Sequence, residues 1–129
     1  TNDWTSDVQI GDSTSTAEST IYGALKHCLN TLIGEYPHLK IYMASPGYRY
    51  NKTTGVDSDT EIHNGKNLRQ FSADMENASH YFGVPCLNLY TNGMVNIYNR
   101  DQFLGDGVHR NKAGYKLLGE QYAKFIMSH

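Results

Sequence analysis

Two short runs decide the fold: Lys40-Ile41-Tyr42-Met43-Ala44-Ser45 and Val84-Pro85-Cys86-Leu87-Asn88-Leu89-Tyr90. Both are nearly unbroken in apolar character instead of alternating, which is how a strand covered on both faces of a parallel sheet reads. Pro46-Gly47 ends the first run, and Gly83 stands just before the second. Between them, Asn67 to Phe82 places Leu68, Phe71, Met75, Ala78 and Phe82 on one face at helical spacing. Ahead of the first run, Ile21, Leu25, Cys28, Leu29, Leu32 and Ile33 recur in steps of three and four, predicting another helix. Ser15 and Glu18 have the spacing of a reciprocal cap at its start, and Gly34 and Pro37 stop it. A last helix is predicted from Asn111, carrying Ala113, Leu117, Leu118, Tyr122, Phe125 and Ile126. The remaining stretches, 5–14, 47–66 and 91–110, read as loops, the last with one turn around Met94 to Tyr98.

Helices that alternate with such strands imply an α/β fold with a parallel sheet and helices on its faces. Only two strands are visible, and two parallel strands do not make a stable sheet by themselves. The sheet edge therefore invites either a partner or the rest of a larger domain. The long 47–66 stretch, with Tyr48, Arg49, Tyr50 and Gly55, is of a length often found at functional sites.

Composition narrows the function. The chain has 129 residues, enough for one domain, and 39% of them are hydrophobic. Charged residues are 19%, below the roughly one quarter of an average soluble chain. Eleven Lys plus Arg against 13 Asp plus Glu leave a net charge of −2, which argues against a surface built to bind nucleic acid. No apolar run approaches the ~20 residues of a membrane-spanning helix, and no signal peptide is visible. The two cysteines, Cys28 and Cys86, sit among apolar neighbours and are expected to be buried in the core. No CxxC or paired-His spacing suggests a metal site, and no cofactor is expected.

The sharpest local feature is Gly105-Asp106-Gly107-Val108-His109-Arg110-Asn111, between the second strand and the last helix. The two glycines permit a tight turn, which can bring the Asp106 carboxylate within reach of the His109 imidazole. Such a contact fixes the ring tautomer and frees Nε2 to act as a base toward a hydroxyl. The segment also lies beyond the carboxyl end of a strand, where open α/β sheets place ligands. By spacing alone it reads more readily as a turn and helix start with a histidine that merely packs.

Asp106-Gly107-Val108-His109, followed by Asn111, Ala113, Gly114 and Tyr115, resembles the last block of the SGNH (GDSL-type) hydrolases. In that family the block supplies the acid and base of a Ser-His-Asp triad. Thr1-Asn2-Asp3-Trp4 similarly resembles the G-x-N-D block, whose Asn donates to the oxyanion. The strand ending at Ser45-Pro46 and the two helix–strand units resemble the family between these blocks. The resemblance implies a three-layer, flavodoxin-like α/β fold, with residues 1–129 as a partial domain incomplete at its N-terminus. It implies His109 as general base and then acid, Asp106 as its orienting carboxylate, and Asn2 as an oxyanion donor.

The departures are specific. The family's nucleophilic serine block and oxyanion glycine block are expected upstream of Thr1, and the chain opens without Met. Arg110 stands where the family usually has Pro, which is expected to alter the helix entry and leave the acid–base pair alone. Gly11-Asp12-Ser13 spells the family's nucleophile signature, but no glycine or G-x-N-D block follows it. A Ser/Thr-rich loop before a helix explains that triplet more simply.

The reading implied is the C-terminal portion of an esterase or acylhydrolase acting on an acyl lipid, an acetylated carbohydrate or another small ester. Its expected partners are that ester and either the missing N-terminal segment or a second copy. The competing reading is a non-catalytic α/β module that binds carbohydrate or serves assembly in a larger surface or phage-like protein. Trp4 and the tyrosines of the 47–66 loop suit a ligand pocket or plain packing.

Overall fold

A computed structural model describes residues 1–129. Its elements are α1 (Asn2–Thr5), α2 (Ile21–Glu35), β1 (Met43–Ser45), α3 (Leu68–Tyr81), β2 (Cys86–Asn88), α4 (Leu89–Asn92), α5 (Arg100–Phe103) and α6 (Lys112–Met127). β1 and β2 pair in parallel, with Met43 opposite Cys86 and Ser45 opposite Asn88. The chain is thus α/β with a small parallel sheet.

α3 packs against both strands of that sheet, and α6 approaches from the other side. Side chains alternate along a strand, so Asn88 reaches Glu76 of α3 from one face, while Tyr42 meets Phe125 of α6 from the other, with ring centroids 6.1 Å apart. α2 lies beside α3, where Tyr22 packs against Phe82. The core gathers Trp4 (1% exposed), Ile21, Tyr48, Tyr50, Leu68 (0%), Phe71 and Leu104. Trp4 also donates its indole N–H to the Lys66 carbonyl at 2.9 Å, so the polar edge of the largest buried side chain has a partner.

The three long helices fall where their apolar periods predict, with changes at the boundaries. α2 starts at Ile21, capped by Thr20, whose hydroxyl accepts from Gly23 N–H at 3.0 Å. The expected Ser15–Glu18 box does not form. Ser15 Oγ accepts from Asp12 N–H, and Glu18 lies 3.0 Å from His27. A reciprocal box sits instead at α3, between Asn67 and Gln70. α6 starts where expected, with Asn111 as its cap.

Both strands are shorter than their apolar runs. β1 covers only Met43–Ser45. The second run stops at Asn88 because the Asn88 side chain accepts from Tyr90 and Thr91 N–H and caps α4. The 91–110 segment likewise holds α5, which reads as loop in the sequence. Residues 47–66 form no long element, yet Tyr48, Tyr50 and Ser58 are buried within that stretch. Its tyrosines are core residues and do not line a pocket. Cys86 is buried as expected, but Cys28 is exposed, on the outer side of the α2 stripe.

Candidate functional site

The site is built on the turn that joins α5 to α6. Leu104, 2% exposed, anchors its start in the core, and Leu104 and Arg110 form an antiparallel bridge that closes its base. Gly105 N–H donates to the His109 carbonyl at 2.8 Å. Asn111 then caps α6 through Gly114 N–H and donates its side-chain amide to the Gln102 carbonyl. Gly114 itself is required, because a Cβ there would lie 2.2 Å from the Phe103 carbonyl oxygen.

Within the turn, Asp106 accepts three hydrogen bonds. Its Oδ1 takes the N–H groups of Val108 at 2.8 Å and His109 at 2.6 Å. Its Oδ2 lies 2.7 Å from His109 Nδ1. An ionised carboxylate only accepts, so the ring nitrogen is the donor and carries the proton. His109 Nε2 makes no hydrogen bond and can accept a proton from outside. The imidazole bond, then the two backbone donors, hold the Asp106 carboxyl well below the usual carboxylate range. Both side chains face solvent, His109 at 76% exposed and Asp106 at 60%.

A second segment holds the turn from behind, and the sequence gives no sign of it. Tyr50 N–H donates to the Gly107 carbonyl at 2.9 Å, and Lys52 Nζ donates to the Gly105 carbonyl at 2.9 Å. Tyr50 also grips α5: its hydroxyl donates to Asp101, and the Arg100 guanidinium stacks 3.9 Å over its ring. These contacts span about half the chain and follow no local pattern.

Arg110 takes no part in the hydrogen bond between the two side chains of the pair. Its guanidinium turns away, toward Gly47 and Gly93, where burial lowers its pKa and Nη1 has no hydrogen-bond partner.

The other candidates are not hydrogen-bonded to the pair. Asn2 is exposed at the first position of α1, and its side chain forms no hydrogen bond with Asp106 or His109. Ser13 lies in a surface turn made by Asp12, whose Oδ1 accepts from Thr14 N–H and Oγ1. The Ser13 carbonyl accepts from Lys26. No group of three or more His, Cys, Asp or Glu side chains is placed to hold a metal ion, and no helix is long and apolar enough to cross a membrane.

No family model matches the chain, and no curated protein matches it. Its fold does match solved structures. One from Lactobacillus plantarum superposes with a TM-score of 0.83 at 24% identity, over 99% of this chain and 63% of its own. Another gives 0.83 at 23% identity, over 98% of this chain and 60% of its own. A third, described as "a possible lipase from Chitinophaga pinensis", gives 0.77 at 17% identity, over 99% and 69%. The chain thus spans less than two thirds of the first two, and at these identities the likeness is one of fold.

Proposed function

We propose that this chain is the acid–base portion of a serine ester hydrolase of the SGNH type. The observation that carries the reading is the 2.7 Å contact between Asp106 Oδ2 and His109 Nδ1, with Nε2 left open. Two lines support it: the Asp106–Tyr115 and Thr1–Trp4 blocks resemble that family, and one solved neighbour of the same fold is described as a possible lipase.

In this reading a serine outside these 129 residues attacks the ester carbonyl. His109 Nε2 takes the serine proton as the bond forms and returns it to the departing alcohol. Asp106 keeps the ring in the tautomer that makes Nε2 the base and stabilises the imidazolium that results. Water then cleaves the acyl-enzyme by the same proton route in reverse. Asn2 donates its side-chain N–H to the oxyanion. The three-layer SGNH layout and an ester of an acyl lipid or acetylated carbohydrate belong to the same proposal.

The test is hydrolysis of p-nitrophenyl acetate by the full-length natural protein and its His109→Ala variant. The variant should lose roughly 10²–10⁴-fold in kcat. Unchanged turnover would overturn the assignment. The 129-residue chain alone should show no hydrolysis and no reaction with a fluorophosphonate probe; labelling at Ser13 would relocate the nucleophile into this chain.

A further inference from the structure

Arg49 lies between the Thr1–Trp4 block and the Asp106–His109 turn. On one side its guanidinium carbon stands 5.9 Å over the ring of Trp4, within reach of the attraction between a cation and an indole face. On the other, its neighbour Tyr50 donates N–H to the Gly107 carbonyl inside the turn. The backbone at Arg49 is fixed through both of its polar groups. Its N–H donates to Ser58 Oγ at 3.1 Å, and its carbonyl accepts from Ser58 N–H at 3.0 Å. Ser58 is itself fully buried, hydrogen-bonded to the Tyr90 hydroxyl. The arginine is thus held in place by groups that leave its charge untouched.

That charge has no counterpart. The half-buried Arg49 guanidinium forms no ion pair and no hydrogen bond, and its Nε is buried without an acceptor. Elsewhere the chain supplies acceptors. Arg69 gives Nε and Nη2 to the Asp59 carboxylate, and Arg100 gives Nη1 to the Tyr48 hydroxyl and the Gly55 carbonyl. Arg110 is unpaired too, but there Nη1 is buried and Nη2 faces Gly47 and Gly93. On Arg49 the buried nitrogen is Nε alone, so the edge formed by Nη1 and Nη2 is not closed off. An unpaired, half-buried charge opposes folding, and packing on Trp4 would be served as well by an uncharged side chain.

We propose that Arg49 binds a carboxylate carried by the ester substrate, and so selects acidic esters over neutral ones. The planar edge of the guanidinium matches the two oxygens of a carboxylate. One guanidinium offsets one negative charge, and the next cation along the segment, Lys52, already donates to the Gly105 carbonyl. A monoanion therefore suits the site better than a doubly charged phosphate. The word substrate rests on the function proposed above; the anion site itself does not.

The experiment joins a binding measurement to a kinetic one, both on the full-length natural protein. Adipic acid monoamide, a monocarboxylate without an ester, is titrated by calorimetry while the Trp4 indole N–H resonance is followed. It should bind and shift that resonance, and Arg49→Met should weaken binding at least ~10-fold, the usual worth of a hydrogen-bonded charge. Arg49→Lys, which keeps the charge and loses the fork, should fall between. In the kinetic arm, mono-p-nitrophenyl adipate is compared with p-nitrophenyl hexanoate, and m-carboxyphenyl hexanoate with phenyl hexanoate. The carboxylate thus stands once on the acyl part and once on the alcohol. Arg49→Met should lower the acidic-to-neutral ratio of kcat/KM at least ~10-fold in one of the two pairs. Unchanged ratios in both pairs, or unchanged affinity for the monoamide, overturn the proposal. Arg49-dependent binding by a protein that hydrolyses no ester would refute the hydrolase and leave the anion site standing. Hydrolysis indifferent to the carboxylate would do the reverse.

Discussion

Gly107 and Tyr50 are pressed together backbone to backbone. Gly107 has φ +92°, and a Cβ there would lie 2.3 Å from the Tyr50 carbonyl oxygen, while its own carbonyl accepts from Tyr50 N–H. No side chain fits without moving either the turn or the 48–52 segment. Gly107→Ala should therefore cost about 1–3 kcal/mol, measured by urea denaturation. It should also weaken the Nδ1 proton resonance of His109, since that bond depends on the turn. A variant of native stability with an unchanged resonance would show that the turn is held elsewhere.

The Asp106 carboxyl is held low by the His109 ring and by the N–H groups of His109 and Val108. A pKa depressed by folding contributes stability above the unfolded value near 4, and that contribution is lost as pH falls through the folded value. A carbon-detected titration should place the Asp106 midpoint below those of aspartates in the denatured chain. His109→Ala should raise it only partway, because the backbone donors remain. Equal midpoints in native and denatured chains would refute the geometry.

The two thiols should differ sharply in reactivity. Cys28 is exposed, while burial pushes the Cys86 thiol up to about 11, so little thiolate forms at pH 8. Ellman's reagent should titrate one thiol in the native chain and the second only after denaturation. Rapid reaction of both would mean that β2 opens readily.

Trp4 combines a buried ring with a hydrogen bond to the Lys66 carbonyl. Trp4→Phe should cost about 1–3 kcal/mol by leaving that acceptor without its donor, and Trp4→Ala about 3–5 kcal/mol by opening a cavity. Urea titration followed by circular dichroism gives both numbers. A loss under 0.5 kcal/mol for Trp4→Ala, far below the usual cost of a buried aromatic, would remove Trp4 from the core.

The elements most legible in the sequence are those made by local pattern. α3 and α6 stand where their apolar spacing and their Asn67 and Asn111 caps put them. The Asp106–His109 contact is legible for the same reason, since three residues and two glycines suffice to form it. Misreadings arise where a polar side chain chooses among partners. Ser15 serves Asp12 and caps no helix, and Asn88 ends a strand by starting α4. The Tyr50 and Lys52 contacts to the turn are illegible because they join segments that only tertiary packing brings together. Cys28 misleads because a helical stripe says which residues share a face, not whether that face is covered.

Asn88 carries one more consequence. Its Oδ1 accepts from Ser45 Oγ and from Tyr90 and Thr91 N–H, while its Nδ2 donates to Glu76 Oε2 at 2.7 Å. One amide thereby ties together both strands, α3 and α4, and it uses each of its two ends for a different chemistry. An aspartate in its place would exchange a single nitrogen for oxygen and set two carboxylates face to face, so the joint tolerates only the neutral side chain.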